Sequence, residues 1–143
     1  VKAHKQPEED MDDLPAVNDA ISVYTYTSNP NRDNQLIHTL SNISFFNEEI
    51  LSNWLNITTK TFRNYKNNPA LILKGNIREH LVMLLSLYKH GKEVFGNIET
   101  FERWLSSPNP LLGQKKPLSF LDTTSGIQWM DNRLTAMEFG ESA

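Results

Sequence analysis

The sequence predicts a mainly α-helical protein, and three observations carry that prediction. Apolar residues recur at helical spacing, as at Ile50, Leu51, Trp54 and Leu55 or at Ile127, Met130, Leu134 and Met137. Residues that cap helix N-termini stand ahead of such runs, at Asn47, Asn97 and Thr123 or Thr124. Strand character is confined to SVYTYTS, residues 22–28, where β-branched and aromatic residues cluster.

With 143 residues, 38% of them hydrophobic, the chain has material for one domain or two very small ones around a modest core. Oligomerisation would be a natural aid to its stability. It has no cysteine, which excludes a disulfide framework and a thiolate metal site and fits a reducing cytoplasm. The most apolar run, LVMLLSL at 81–87, is too short to cross a bilayer, and no secretory signal is recognised, so no membrane partner is expected.

The net charge of −3 is unevenly spread. Residues 1–20 set two lysines against Glu8, Glu9, Asp10, Asp12, Asp13 and Asp19, which leaves the rest of the chain slightly basic. Residues 58–78 hold Lys60, Arg63, Lys66, Lys74 and Arg78 with no acidic residue among them, the one place that hints at a polyanionic partner.

Taken in order, residues 1–20 read as a mobile acidic arm, poor in large apolar residues and without a period. The short strand at 22–28 follows, then turn chemistry in SNPNRDN at 28–34, so that residues 1–34 form an N-terminal arm that is disordered in part. Leu36, Ile37, Leu40, Ile43 and Phe46 mark a helix over 35–46. Asn47 opens the next, with two carboxylates in its first turn, where the helix dipole favours them. Asn56-Ile57-Thr58 interrupts the pattern, and a second short helix starts near Thr58 or Thr59. Phe62 and Tyr65 face inward on it, while Lys60, Thr61, Arg63, Asn64 and Lys66 face out. Two short helices on a tight turn, the second with a polar and basic outer face, predict a helix-turn-helix. Arginine and asparagine can read base edges there and lysine can bind phosphate, although a basic face is also what an ordinary solvated hairpin shows.

A long helix follows from about Asn76, apolar nearly all round and therefore buried, with Gly91 as a point where it weakens or ends. Gly96 and Asn97 stop one helix and cap the next, whose buried face is Phe101, Trp104 and Leu105. The last helix starts at Thr123 or Thr124 and closes at Gly140. Between these two lies WLSSPNPLLGQKKPLSFLDTTSG, a stiff connector with three prolines and more large apolar residues than a solvent-facing loop needs.

Familiar catalytic patterns do not emerge. Asp122 to Gly126 is explained by a helix cap better than by an aspartic-protease turn. His4, His38, His80 and His90 show no metal-binding spacing, and no phosphate-binding or nucleophile-elbow motif occurs. A binding protein is expected, with no catalytic or metal-ligating residue and no cofactor.

The order of features after residue 93 resembles the toxin-binding domain of the Xre/MbcA/ParS antitoxin family. The matching pieces are Val94-Phe95-Gly96, Trp104-Leu105, Pro108-Asn109, Leu112-Gly113, Pro117-Leu118, Thr123 with Gly126, and Leu134 with Gly140. The helix-turn-helix sits upstream, where the Xre-like part of such antitoxins sits. The resemblance implies a division into a helix-turn-helix-containing part at 35–93 and a small helical toxin-binding and dimerisation domain at 94–143. It implies a RES-like, NAD-consuming toxin (or one of ADP-ribosyltransferase type) as partner, occluded without chemistry, with Arg133, Glu138 and Glu141 as polar contacts. It also implies a homodimer that represses its own operon, setting Lys60 to Lys66 on operator DNA. Leu111, Leu112 and Pro117 are the candidate dimer or partner surface; a stiff loop packed on its own core accounts for the same residues. A helix-turn-helix regulator that works without a toxin is the competing function.

Overall fold

The computed structural model describes residues 10–141. Seven α-helices form there: α1 (Ala20–Thr27), α2 (Asp33–Ile43), α3 (Glu48–Trp54), α4 (Thr59–Asn67), α5 (Gly75–Phe95), α6 (Ile98–Leu105) and α7 (Thr124–Glu138). Short 3-10 turns occupy Pro30–Arg32, Pro110–Leu112 and Pro117–Phe120. No strand forms among the described residues, only an isolated bridge between Asn109 and Lys115.

The long helix α5 is the axis of the molecule. Every residue from His80 to Tyr88 is buried, and α1, α2, α6 and α7 all pack on it. Gly91 neither ends nor weakens it. The ring of Phe101 lies where a β-carbon would stand, 2.5 Å away, so the glycine is the space into which α6 docks. The stop comes at Gly96, whose φ of +92° turns the chain into the Asn97 cap of α6. The boundary between 93 and 94 falls inside α5, and one continuous core runs through the described residues on both sides of it.

Two N-terminal expectations are corrected. Residues 22–27 fold as helix, not strand, and Ser28 is the C-cap. Asp19 accepts the Ser22 N–H at 3.1 Å and its hydroxyl at 2.7 Å, and the hydroxyls of Thr25, Thr27 and Ser28 turn back onto carbonyls one turn earlier. Tertiary packing of Val23 on the core overrides the β-branched preference. The mobile arm fails as well where it can be followed. Met11, Leu14 and Val17 are core residues, with Met11 only 1% exposed, and Lys89 Nζ donates to the Asp12 carbonyl at 2.9 Å. Residues 1–9 of that arm lie outside the described residues.

The helix-turn-helix geometry forms as expected. Asn47 Oδ1 caps Ile50 N–H at 3.0 Å, and Thr58 Oγ1 caps Thr61 N–H at 3.1 Å. Between them Asn56 takes φ +61°, the left-handed conformation that asparagine tolerates better than most residues.

Candidate partner-binding surfaces

The connector from 106 to 123 is tied down through its backbone carbonyls. Trp54 Nε1 donates to Leu118 O at 2.9 Å, His80 Nε2 to Leu121 O at 2.8 Å, and Asn56 Nδ2 to Asp122 O at 3.0 Å. A carbonyl can only accept, so His80 carries its proton on Nε2; burial pushes its pKa below the ordinary histidine value and keeps it neutral. Gly113 and Gln114, at φ +63° and +67°, fold 109–115 into a tight hairpin closed by Asn109 N–H on Lys115 O at 2.9 Å. The Thr123–Gly126 pair has a steric cause. Thr123 Oγ1 accepts Gly126 N–H at 3.0 Å, and a β-carbon on Gly126 would meet the Phe120 carbonyl oxygen at 1.7 Å.

This geometry sorts the expected connector residues. Leu111 stands out at the hairpin tip, 57% exposed; Leu112 is half-buried; Pro117 is buried against the protein's own core. The dimer or partner surface therefore cannot include Pro117 as a free face.

A buried carboxylate joins the connector's neighbour α6 to the upstream helices. Glu102 accepts from Tyr88 OH, from Ser44 Oγ and, at 2.8 Å, from Phe45 N–H. Burial, followed by the Glu102 charge, raises the Tyr88 phenol well above its usual pKa, so it stays a donor. Around this network Phe46, Trp54, Tyr88, Phe101 and Trp104 form a chain of aromatic contacts; Phe46–Trp54 and Tyr88–Phe101 meet edge to face at 5.5 and 5.4 Å.

At the end of α7, Arg133, Glu138 and Glu141 fall within one stretch of surface but are engaged within the molecule. Arg133 Nη2 lies 3.3 Å from Glu141 Oε1, and Glu138 Oε1 lies 2.9 Å from His90 Nε2. His90 also holds Asp131 Oδ1 with Nδ1 at 2.7 Å, so both ring nitrogens donate to carboxylates. Asp131 and then Glu138 raise its pKa to about 9, against the opposing effect of burial, which makes it an imidazolium at neutral pH. Two exposed aromatic residues nearby escaped the sequence pattern: Trp129 is 40% exposed and Phe139 83%. Their signal was an aromatic residue off the Ile127–Met137 stripe, where the helix period calls for a polar one.

On the helix-turn-helix, the five expected nucleic-acid contacts divide. Lys60 and Asn64 project from α4 into solvent, and neither side chain has an ion-pair or hydrogen-bond partner among the described residues. The Thr61 hydroxyl accepts from that of Thr58 at 3.0 Å. Arg63 and Lys66 do not simply face out. Arg63 Nε and Lys66 Nζ both sit 2.7 Å from the two oxygens of Glu48, and Lys66 Nζ also donates to Ser41 Oγ at 3.2 Å. Arg78, a further member of the acid-free stretch, is buried in a bidentate pair with Asp33 at 2.7 and 2.8 Å. The stretch lacks acids in sequence, but α2 and α3 bring them to it in space.

Aromatic and aliphatic side chains projecting from a rigid helical scaffold, beside carboxylates and cations held by ion pairs, define a helical interaction module. Residues 90–140 match the family model of the antitoxin Xre/MbcA/ParS C-terminal toxin-binding domain, so this segment is similar to the toxin-binding part of those antitoxins. A toxin is the partner this domain implies. No curated protein matches the chain. No helix among the described residues is long and apolar enough to cross a membrane.

Proposed function

We propose that this chain is the antitoxin of a bacterial type II toxin–antitoxin system. It acts in the cytoplasm, covers the cofactor pocket of a RES-type, NAD-consuming toxin (or one of ADP-ribosyltransferase type), and represses its own operon as a homodimer. The match of residues 90–140 to the toxin-binding domain carries this reading. It is supported by the protruding Leu111, Trp129 and Phe139, since occlusion requires a large apolar contact with slow dissociation and no reactive group. Arg133, Glu138 and Glu141 supply the polar rim of that contact. Operator binding falls to α4, through Lys60, Thr61, Arg63, Asn64 and Lys66.

The test is co-expression with the product of the neighbouring gene, following growth and cellular NAD with and without this chain. Arrested growth and NAD loss, both reversed by this chain, support the proposal. Arrest without NAD loss replaces the toxin's chemistry while keeping the antitoxin. A harmless neighbour overturns the antitoxin reading in favour of a stand-alone regulator.

A further inference from the structure

Glu48 lies in the first turn of α3, and the helix-turn-helix places its two carboxylate oxygens against the two cations of α4 nearest the helix C-terminus, Arg63 and Lys66. The Lys66 and then the Arg63 hydrogen bonds hold the Glu48 carboxyl below its ordinary pKa, so it is ionised throughout the neutral range. The Lys66 side chain is mostly covered, turned towards Ser41 and Glu48 and away from the exposed face. One anion thus neutralises much of the positive charge that would meet a phosphate backbone.

We propose that Glu48 is a built-in competitor for nucleic-acid phosphate, pairing with Arg63 Nε and Lys66 Nζ so that, beside Lys60 and Asn64, α4 offers only an exposed but partly neutralised Arg63 until a polyanion displaces the carboxylate. The inference rests on the assignment of DNA contact to α4. It predicts that the free protein binds duplex DNA weakly and with a shallow salt dependence, because cations already paired to a carboxylate release few counterions. Surface pairs of this kind each cost no more than a factor of about five to break. The competition is therefore surmountable by a well-matched site and sufficient against random sequence.

The adjacent residue provides the control. Glu49 shares the same first turn and the same charge, is exposed, and makes no contact with Arg63 or Lys66. The experiment measures binding of the full chain to a mixed-sequence duplex DNA by fluorescence anisotropy across a salt series, for the wild type, Glu48→Gln and Glu49→Gln. Melting curves check that each variant is folded. Glu48→Gln is expected to bind more tightly than either of the others, with a log–log salt slope steeper by up to about 2. That makes its advantage shrink about tenfold between 50 and 200 mM salt. In the triple variant Glu48→Gln, Arg63→Ala, Lys66→Ala the gain is expected to vanish. Equal gains from Glu48→Gln and Glu49→Gln would reduce the effect to net charge and overturn the proposal. Wild-type binding with no gain in Glu48→Gln overturns it while leaving DNA contact in place. An absence of binding by the wild type and by Glu48→Gln alike overturns both.

Discussion

His90 offers the sharpest test of how α7 is held. Its imidazolium bridges α5 to Asp131 and Glu138 of α7, beside a cleft of about 480 Å³ that Lys89, Glu93 and residues 14–18 also line. A folded-state pKa of about 9 against an ordinary 6.5 means that the folded protein keeps a proton which the unfolded chain releases. Stability from this clamp is therefore complete below pH 6.5 and is lost as the pH rises through about 9. The whole shift corresponds to about 3 kcal/mol. Glu138 is 44% exposed, so water screens that half of the clamp, and about 1–2 kcal/mol is the better expectation. For a chain of this size that is a fall of about 5 °C in Tm. The measurement is thermal unfolding by circular dichroism at pH 6 and pH 9.5, for the wild type and His90→Gln. The wild type should exceed the variant at pH 6 and lose most of the difference at pH 9.5. A difference that is constant across that range, or zero at both ends, would refute the reasoning.

Three further outcomes follow from contacts already described. Gly126→Ala sets a β-carbon against the Phe120 carbonyl and should lower stability by about 2 kcal/mol or more, read from urea unfolding, whereas Gly113→Ala meets no atom and should cost less, from its positive φ alone. Arg78→Met strands the buried Asp33 carboxylate and should cost about 3–5 kcal/mol, while the double change Arg78→Met, Asp33→Leu should recover part of it in the same assay. Phe139→Ala removes a side chain 83% exposed, so Tm should hold while neutralisation of the co-expressed toxin weakens, and Trp129→Ala, which removes one three-fifths covered, should weaken neutralisation with a modest loss of Tm; unchanged neutralisation by both would move the toxin contact off α7.

What was legible in the sequence was what is decided locally. A cap and the run behind it are read within four residues: Asn47 and Asn97 cap the helices expected of them, and of the threonine pairs at 58–59 and 123–124 it is Thr58 and Thr123 that cap. Contacts between segments distant in the chain were not legible. Glu48 lies 15 and 18 residues from its two cations and Glu102 lies 58 from Ser44, so the basic face of α4 and the buried carboxylate could only be assigned once the helices were packed. The segment 11–17 misled for a related reason. It sits in residues 1–20, where six acids face two lysines, yet Met11, Leu14 and Val17 recur every third residue and are the part that packs. Gly91 reads as a weak point or an end because glycine is the weakest helix former but proline, and only the position of the Phe101 ring reveals why it stands mid-helix. On α7 and just beyond it the family resemblance singled out Arg133, Glu138 and Glu141 and passed over Trp129 and Phe139, because an off-stripe aromatic weighs little until its exposure is known.

The upstream helices set the shape of the connector whether or not α4 meets DNA. A loop that must present a surface loses affinity if it has to be ordered on contact, since each immobilised segment costs entropy at the moment of binding. Here the prolines at 108, 110 and 117 restrict the backbone beforehand, and Trp54, Asn56 and His80 hold the carbonyls of Leu118, Asp122 and Leu121. None of those three donors lies within residues 90–140. Two belong to the helix-turn-helix and one to the first half of α5, so the matched domain takes its shape partly from residues outside it. The helix-turn-helix is then a structural support for the connector first. A change at Trp54 or Asn56 is expected to loosen the connector through the carbonyls it releases, without altering any residue of the matched segment itself.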